Sequence, residues 1–170
     1  MFKILKLTLL STLLNELKRM YEQANVNAKE AQEEANYHVG AMESRYDTFK
    51  EEAQYLTEAQ KLRLLELKAK IQDCEQLKQH LELNNIQFNR LKLGAIVQIL
   101  SPKNDPIWFF LAPAGLNISH QDPILGTITC ITEDAPLVRN AIDLEVGDEY
   151  DVSSPEYGKK ALWYEIIDIR

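Results

Sequence analysis

Leucine and then alanine mark a regular stripe along the first part of the chain. Leu10, Leu14, Leu17, Tyr21, Ala24, Ala28, Ala31, Ala35 and His38 recur at alternating steps of four and three. That is the heptad spacing of a helix packed in a coiled coil. A second, looser seam runs through Leu56 and Ala59, then Leu64, Leu67, Ile71 and Cys74, and on through Leu77, Leu81, Asn84 and Phe88. Between the seams, Glu43-Ser-Arg-Tyr-Asp-Thr48 is the least periodic piece, and Thr48-x-x-Glu51 has the form of a capping box opening a helix. The pattern predicts an antiparallel coiled-coil hairpin with its tip at about residues 41–48. Its seam is leucine near the base and alanine toward the tip, so the distal arm is expected to be thin. Roughly 30 residues per arm at about 1.5 Å each make a rod of ~45 Å.

The pattern changes beyond residue 90. Segments 95–100, 107–111, 127–131, 149–152 and 161–169 are rich in β-branched and aromatic residues and separated by turn formers. Residues 136–142 are expected to form one short helix before Val146-Gly-Asp148. All six prolines follow Gly94, whereas Gly40 is the single glycine before it. This shift divides the chain into a coiled-coil region, 1–91, and a small β domain, 92–170. The fold class expected is α+β: a helical hairpin, then a small, twisted antiparallel sheet packed on a helix.

Charge follows the same division. Residues 1–92 hold 14 Lys/Arg and 14 Asp/Glu, while residues 93–170 hold 5 against 12, which accounts for the net −7. A chain that gripped nucleic acid by its own electrostatics would be basic, so independent DNA binding is not expected. The two cysteines, Cys74 and Cys130, and the three histidines are scattered, without the spacing of a zinc site or a disulfide framework. Both cysteines are expected to be ordinary buried thiols. The apolar run before Leu14 is short and is followed at once by Glu16, Lys18 and Arg19. That fits neither a signal peptide nor a membrane span, and the chain is expected to be cytoplasmic. On the second helix, Lys61, Arg63, Lys68 and Lys70 alternate with glutamates, as a solvated face does. Trp108, Phe109 and Phe110 are expected in the core.

Several stretches together resemble the GreA/GreB (Gre) family of bacterial transcription elongation factors. The most specific is Ile131-Thr-Glu-Asp-Ala-Pro-Leu-Val-Arg-Asn-Ala-Ile-Asp-Leu-Glu-Val-Gly-Asp-Glu149. It is similar to the family's acid, Ser-Pro, hydrophobic-x-Arg step, short helix and Val-Gly-Asp. Leu93-Gly-Ala-Ile-Val-Gln-Ile99 resembles the opening strand, and Trp163-Tyr-Glu-Ile-Ile167 the closing one. Lys50-Glu-Glu-Ala-Gln-Tyr55 is similar to the Lys-Glu-Asn-Ala-Glu-Tyr that follows the family's acidic tip. The likeness covers nearly the whole chain in the same order, coiled coil and then globular domain.

The resemblance implies a factor that docks an FKBP-like domain on bacterial RNA polymerase and passes the hairpin down the secondary channel. In the family, two tip carboxylates help hold a Mg²⁺ ion jointly with the polymerase, which then cleaves backtracked RNA at its 3′ end. The polymerase remains the enzyme, and the factor supplies ligands. A hard ion that accepts few carboxylates and keeps its waters suits that arrangement. Here Glu51 takes the place of the second tip carboxylate, Thr48 stands at the first, and Asp47 is one residue earlier. Asp47 and Glu51 are therefore the candidate tip ligands, with Glu43 and Glu52 as nearby substitutes. For docking, Asp134 and Pro136 match the family's acid and proline, Ala135 replaces its serine, and Arg139 is a further contact candidate. The segment 101–123 is longer than the family pattern leads one to expect.

Other readings stay open. With its altered tip, a channel binder would inhibit or retune the polymerase without stimulating cleavage. An FKBP-like domain alone would suit a prolyl isomerase, and the seam alone a structural coiled coil. An intramolecular hairpin is expected to be monomeric, whereas a dimerising coiled coil is not.

Overall fold

The computed structural model describes residues 1–37, 46–152 and 162–170, with backbone alone for 34–37 and 46–54. Its elements are α1 (Phe2–Tyr37), α2 (Tyr46–Leu83), β1 (Ile96–Leu100), β2 (Pro106–Leu111), β3 (Ser119–Asp122), β4 (Gly126–Ile131), β5 (Glu149–Asp151) and β6 (Trp163–Ile169). Contacts group the chain into two compact units: Leu14–Gln72, and Met1–Leu13 together with Asp73–Arg170.

Within Leu14–Gln72 the seam of α1 is buried as its spacing requires. Leu14, Leu17 and Ala24 are buried, and Tyr21, Ala28 and Ala31 are half-buried. Leu64, Leu67 and Ile71 do the same for α2. Leu56 and Ala59, however, are exposed, and Thr57 and Gln60 occupy the seam. Stepping back from Leu64 by four and three leads to Gln60 and Thr57, while Ala59 is five residues away and falls off the stripe. Ala35 lies outside the described side chains, and His38 outside the described residues. Helix α2 already runs at Tyr46, so Thr48 sits within its first turn and does not cap it.

In the other unit the strands form one sheet in the order β3-β4-β2-β1-β6-β5. The expectation of an antiparallel sheet fails at one pair: β2 and β4 run parallel, Trp108 opposite Ile128 and Leu111 opposite Ile131. The cause is β3, which the sequence pattern missed. After β2 the chain returns two strand positions away as β3, turns sharply, and fills the space with β4, antiparallel to β3. Asp122 sets that turn, its carboxylate accepting from the amides of Ile124 and Leu125, with Gly126 at a φ of 79°. The two amides also hold the Asp122 carboxyl below its ordinary range. Both edge strands are short and polar, Ser-His-Gln-Asp and Glu-Tyr-Asp, which discourages pairing with other chains.

The central strand β1 is covered on both faces. One face packs Val97, Ile99, Phe109, Leu111 and Ile166 with Val138, Ala141 and Tyr150. The other presents Ile96, Phe110, Ile128 and Cys130, also buried. The helix ends of the same unit meet this second side: Phe2 stacks on Trp108 with ring centroids 6.4 Å apart. Gly94, at φ 91°, lies so near Leu77 that an added Cβ would stand 3.0 Å from its Cδ1. Only a residue without a side chain gives both that conformation and that approach. Cys74 and Cys130 are free and buried, and loss of hydration pushes both thiols up to about 12.

Residues 136–142 do not form the expected helix. Overlapping turns occupy the segment, with Val138 and Arg139 amides donating to the Ala135 carbonyl and the Ala141 amide to that of Val138. Pro136 has no amide to donate, and Val138 and Ala141 are drawn three residues apart into the core, a spacing that tight turns serve. Residues 90–92 clamp the end of this segment through Leu91, which exchanges backbone bonds with Leu144 and Asp143, and through the Arg90–Glu145 ion pair at 2.6 Å.

Candidate functional site

The turn that carries the proposed docking residues is built from its backbone. The Ala135 amide donates to the Thr132 carbonyl at 3.1 Å, and Ala135 itself packs against the core. This holds Asp134 and Pro136 outward, and both are exposed, as is Arg139. A serine hydroxyl at position 135 would therefore sit in a half-buried place, where alanine makes an apolar contact instead.

Asp134 does not stand alone. With Glu133 and Thr132 it forms one wall of an open groove of about 580 Å³, continued by Ala112, Pro113 and Leu93. The opposite wall is the end of α2, with Asp73, Gln76, Leu77 and His80. All of these belong to one compact unit. Three carboxylates border the groove and no lysine or arginine lines it, so it favours a basic partner. Asp73, Gln76 and His80 had no signal in the sequence beyond lying on the outer face of a helix. Only the tertiary fold brings them beside Asp134.

At the other candidate site, Asp47 and Glu51 are placed by the backbone of α2, one turn apart on its first two turns. That spacing sets two carboxylates on one helix face, near the positive end of the helix dipole. Glu52 is on the next position round, and Glu43 lies outside the described residues. Acidic residues at two positions one helical turn apart are the type that suits a hard cation drawing its remaining ligands from elsewhere. Among the residues with described side chains, no group of three or more His, Cys, Asp or Glu is placed to hold a metal ion. Lys61, Arg63, Lys68 and Lys70 are exposed along α2. No helix among the described residues is long and apolar enough to cross a membrane.

No family model matches the sequence, and no curated protein does. Among solved structures the chain is similar to the transcription factor Gfh1, 14% identical over 92% of each chain with a TM-score of 0.34. It is similar to GreA factor homolog 1 (Gfh1) of Thermus thermophilus, 14% identical over 92% of this chain and 94% of that one, TM-score 0.33. A third is the prokaryotic transcription elongation factor GreA/GreB from Nitrosomonas europaea, 16% identical over 56% of this chain and 78% of that one, TM-score 0.34. In its own element order the chain is two long helices followed by a six-stranded β domain.

Proposed function

We propose that this chain is a Gre-like transcription factor that binds bacterial RNA polymerase, enters the secondary channel with its helical arm, and stimulates cleavage of backtracked RNA. One observation carries the reading most. Two helices, the first with a seam that passes from leucine to alanine, are followed by a β domain with Asp134 exposed at an acidic groove. A two-helix arm with small seam residues suits a narrow channel, and the acidic groove suits a basic docking surface on the polymerase. Asp47 and Glu51 would hold a Mg²⁺ ion together with the polymerase, and the ion would stabilise charge on the phosphodiester oxygens. The chain itself would not be an enzyme.

The test is a stalled, backtracked bacterial elongation complex with Mg²⁺, followed by shortening of the RNA 3′ end. Cleavage should rise on adding the protein and fall at least about tenfold with Asp47→Ala/Glu51→Ala, as loss of metal-ligating carboxylates requires. Binding without cleavage would replace stimulation by occlusion of the channel. Absence of binding would remove the polymerase reading altogether.

A further inference from the structure

A second cavity, of about 420 Å³, opens among the start of α1, the segment after α2 and the end of β6. All its lining residues belong to one compact unit. Lys3, Lys6 and Arg170 line it beside Phe2 and Phe88, and no acidic side chain does. In a chain with a net charge of −7, that is a local reversal of sign.

Lys6 is the notable member. It is 5% exposed and is the one buried charged side chain among the described residues. Its ammonium lies over the Phe88 ring, 4.2 Å from the centroid, and has no carboxylate partner among the described residues. The other two cations are differently engaged. Lys3 Nζ donates to the Glu82 carbonyl at 2.9 Å. The Arg170 guanidinium bonds Asp168 at 2.9 Å and lies 5.7 Å from the Phe2 ring. Lys6 is largely dehydrated and its nearest neighbour is a ring, while it lines an open cavity, so an anion there would offset part of its lost hydration. Burial holds Lys6 down to about 8, so at neutral pH it keeps its charge for most of the time.

We propose that this cavity binds a small oxyanion of the phosphate class, gripped by Lys6 with Lys3 and Arg170 at its rim. The volume suits a small molecule, not a folded segment. Three cations lining one cavity match the several oxygens of a tetrahedral anion better than the two of a carboxylate. Phe2 and Phe88 offer apolar surface to a carbon body attached to the phosphate. The cavity shares no lining residue with the acidic groove, and it does not depend on polymerase binding.

The test is a titration of the full ¹⁵N-labelled chain at constant ionic strength with inorganic phosphate, ribose 5-phosphate and acetate. The expected result is saturable shifts at the amides of Lys3, Lys6, Phe88 and Arg170 with both phosphates and weaker binding of acetate. Tighter binding of ribose 5-phosphate would identify a phosphomonoester as the ligand, and equal binding would identify free phosphate. Lys6→Met should weaken either by about tenfold or more, the scale of one lost charge-assisted contact. Lys6→Arg should retain measurable affinity. Unsaturable shifts, equal binding of acetate, or unchanged affinity in folded Lys6→Met would overturn the proposal. The wild-type titration decides even if the methionine variant does not fold.

Discussion

At the scale of single residues, the informative groups are polar ones that the fold has buried. Lys6 has an ordinary value of 10.5, which burial lowers to about 8. Below about pH 8 the lysine is charged whether the chain is folded or not, and folding bears the full cost of dehydrating it. Between about 8 and 10.5 the unfolded chain keeps the proton that the folded chain has released, so this cost falls as pH rises. Lys6→Met should therefore be more stable than wild type near neutral pH in phosphate-free buffer. Urea unfolding should show the difference narrowing toward about pH 10. Taking the difference between variants cancels the opposite alkaline trend from Cys74, Cys130 and Tyr150, whose buried neutral forms favour folding at lower pH. Tyr150 gives a second case. Its hydroxyl is buried with no hydrogen-bond partner among the described residues, while its ring stacks on Tyr164 at 6.0 Å. Tyr150→Phe keeps the ring and removes the stranded hydroxyl, so thermal unfolding should show a gain of up to about 1 kcal/mol. A loss of stability instead would mean that the hydroxyl has a partner.

At the scale of elements, periodicity was legible where the buried positions are apolar and failed where they are not. The α1 seam could be traced because leucine and alanine fill it. On α2, Thr57 and Gln60 are polar, and the neighbouring Leu56 and Ala59 offered a more hydrophobic but wrongly spaced alternative. This predicts an inversion of the usual rule that leucine belongs in a core. Gln60→Leu should raise the melting temperature by an amount equivalent to about 1 kcal/mol through added burial in the seam. Leu56→Gln, at 53% exposure, should change it little. The opposite pair of results would restore the register that the leucines suggest. The sheet teaches the same lesson. Five strands announce themselves by β-branched and aromatic residues, whereas Ser-His-Gln-Asp becomes β3 because it pairs with β4 and closes through Asp122. Missing that strand also hid the parallel β2–β4 pair, since strand direction follows from how many times the chain turns back.

At the scale of the whole molecule, the residues proposed for docking and for tip chemistry lie far apart in sequence, so the two proposed roles can be separated by substitution. The candidate tip acids were legible from resemblance and spacing. The groove was only half legible: Asp134 stood out in its turn, while Asp73 and His80 entered through packing that no local pattern encodes. If the acidic groove meets a basic surface, reversing its charge replaces attraction by repulsion without disturbing the core, because Glu133 and Asp134 are exposed. Glu133→Lys/Asp134→Lys should weaken polymerase binding by at least about tenfold, most strongly at low salt, and leave thermal stability within about 0.5 kcal/mol. Asp47→Ala/Glu51→Ala should show the converse, near-normal binding with lost cleavage. Raising the factor concentration should then rescue cleavage in the groove variant and not in the tip variant. If both variants failed alike at saturating concentration, docking and chemistry would not be divisible in this way. The acidic groove would then have to act on the reaction itself and not only on the grip.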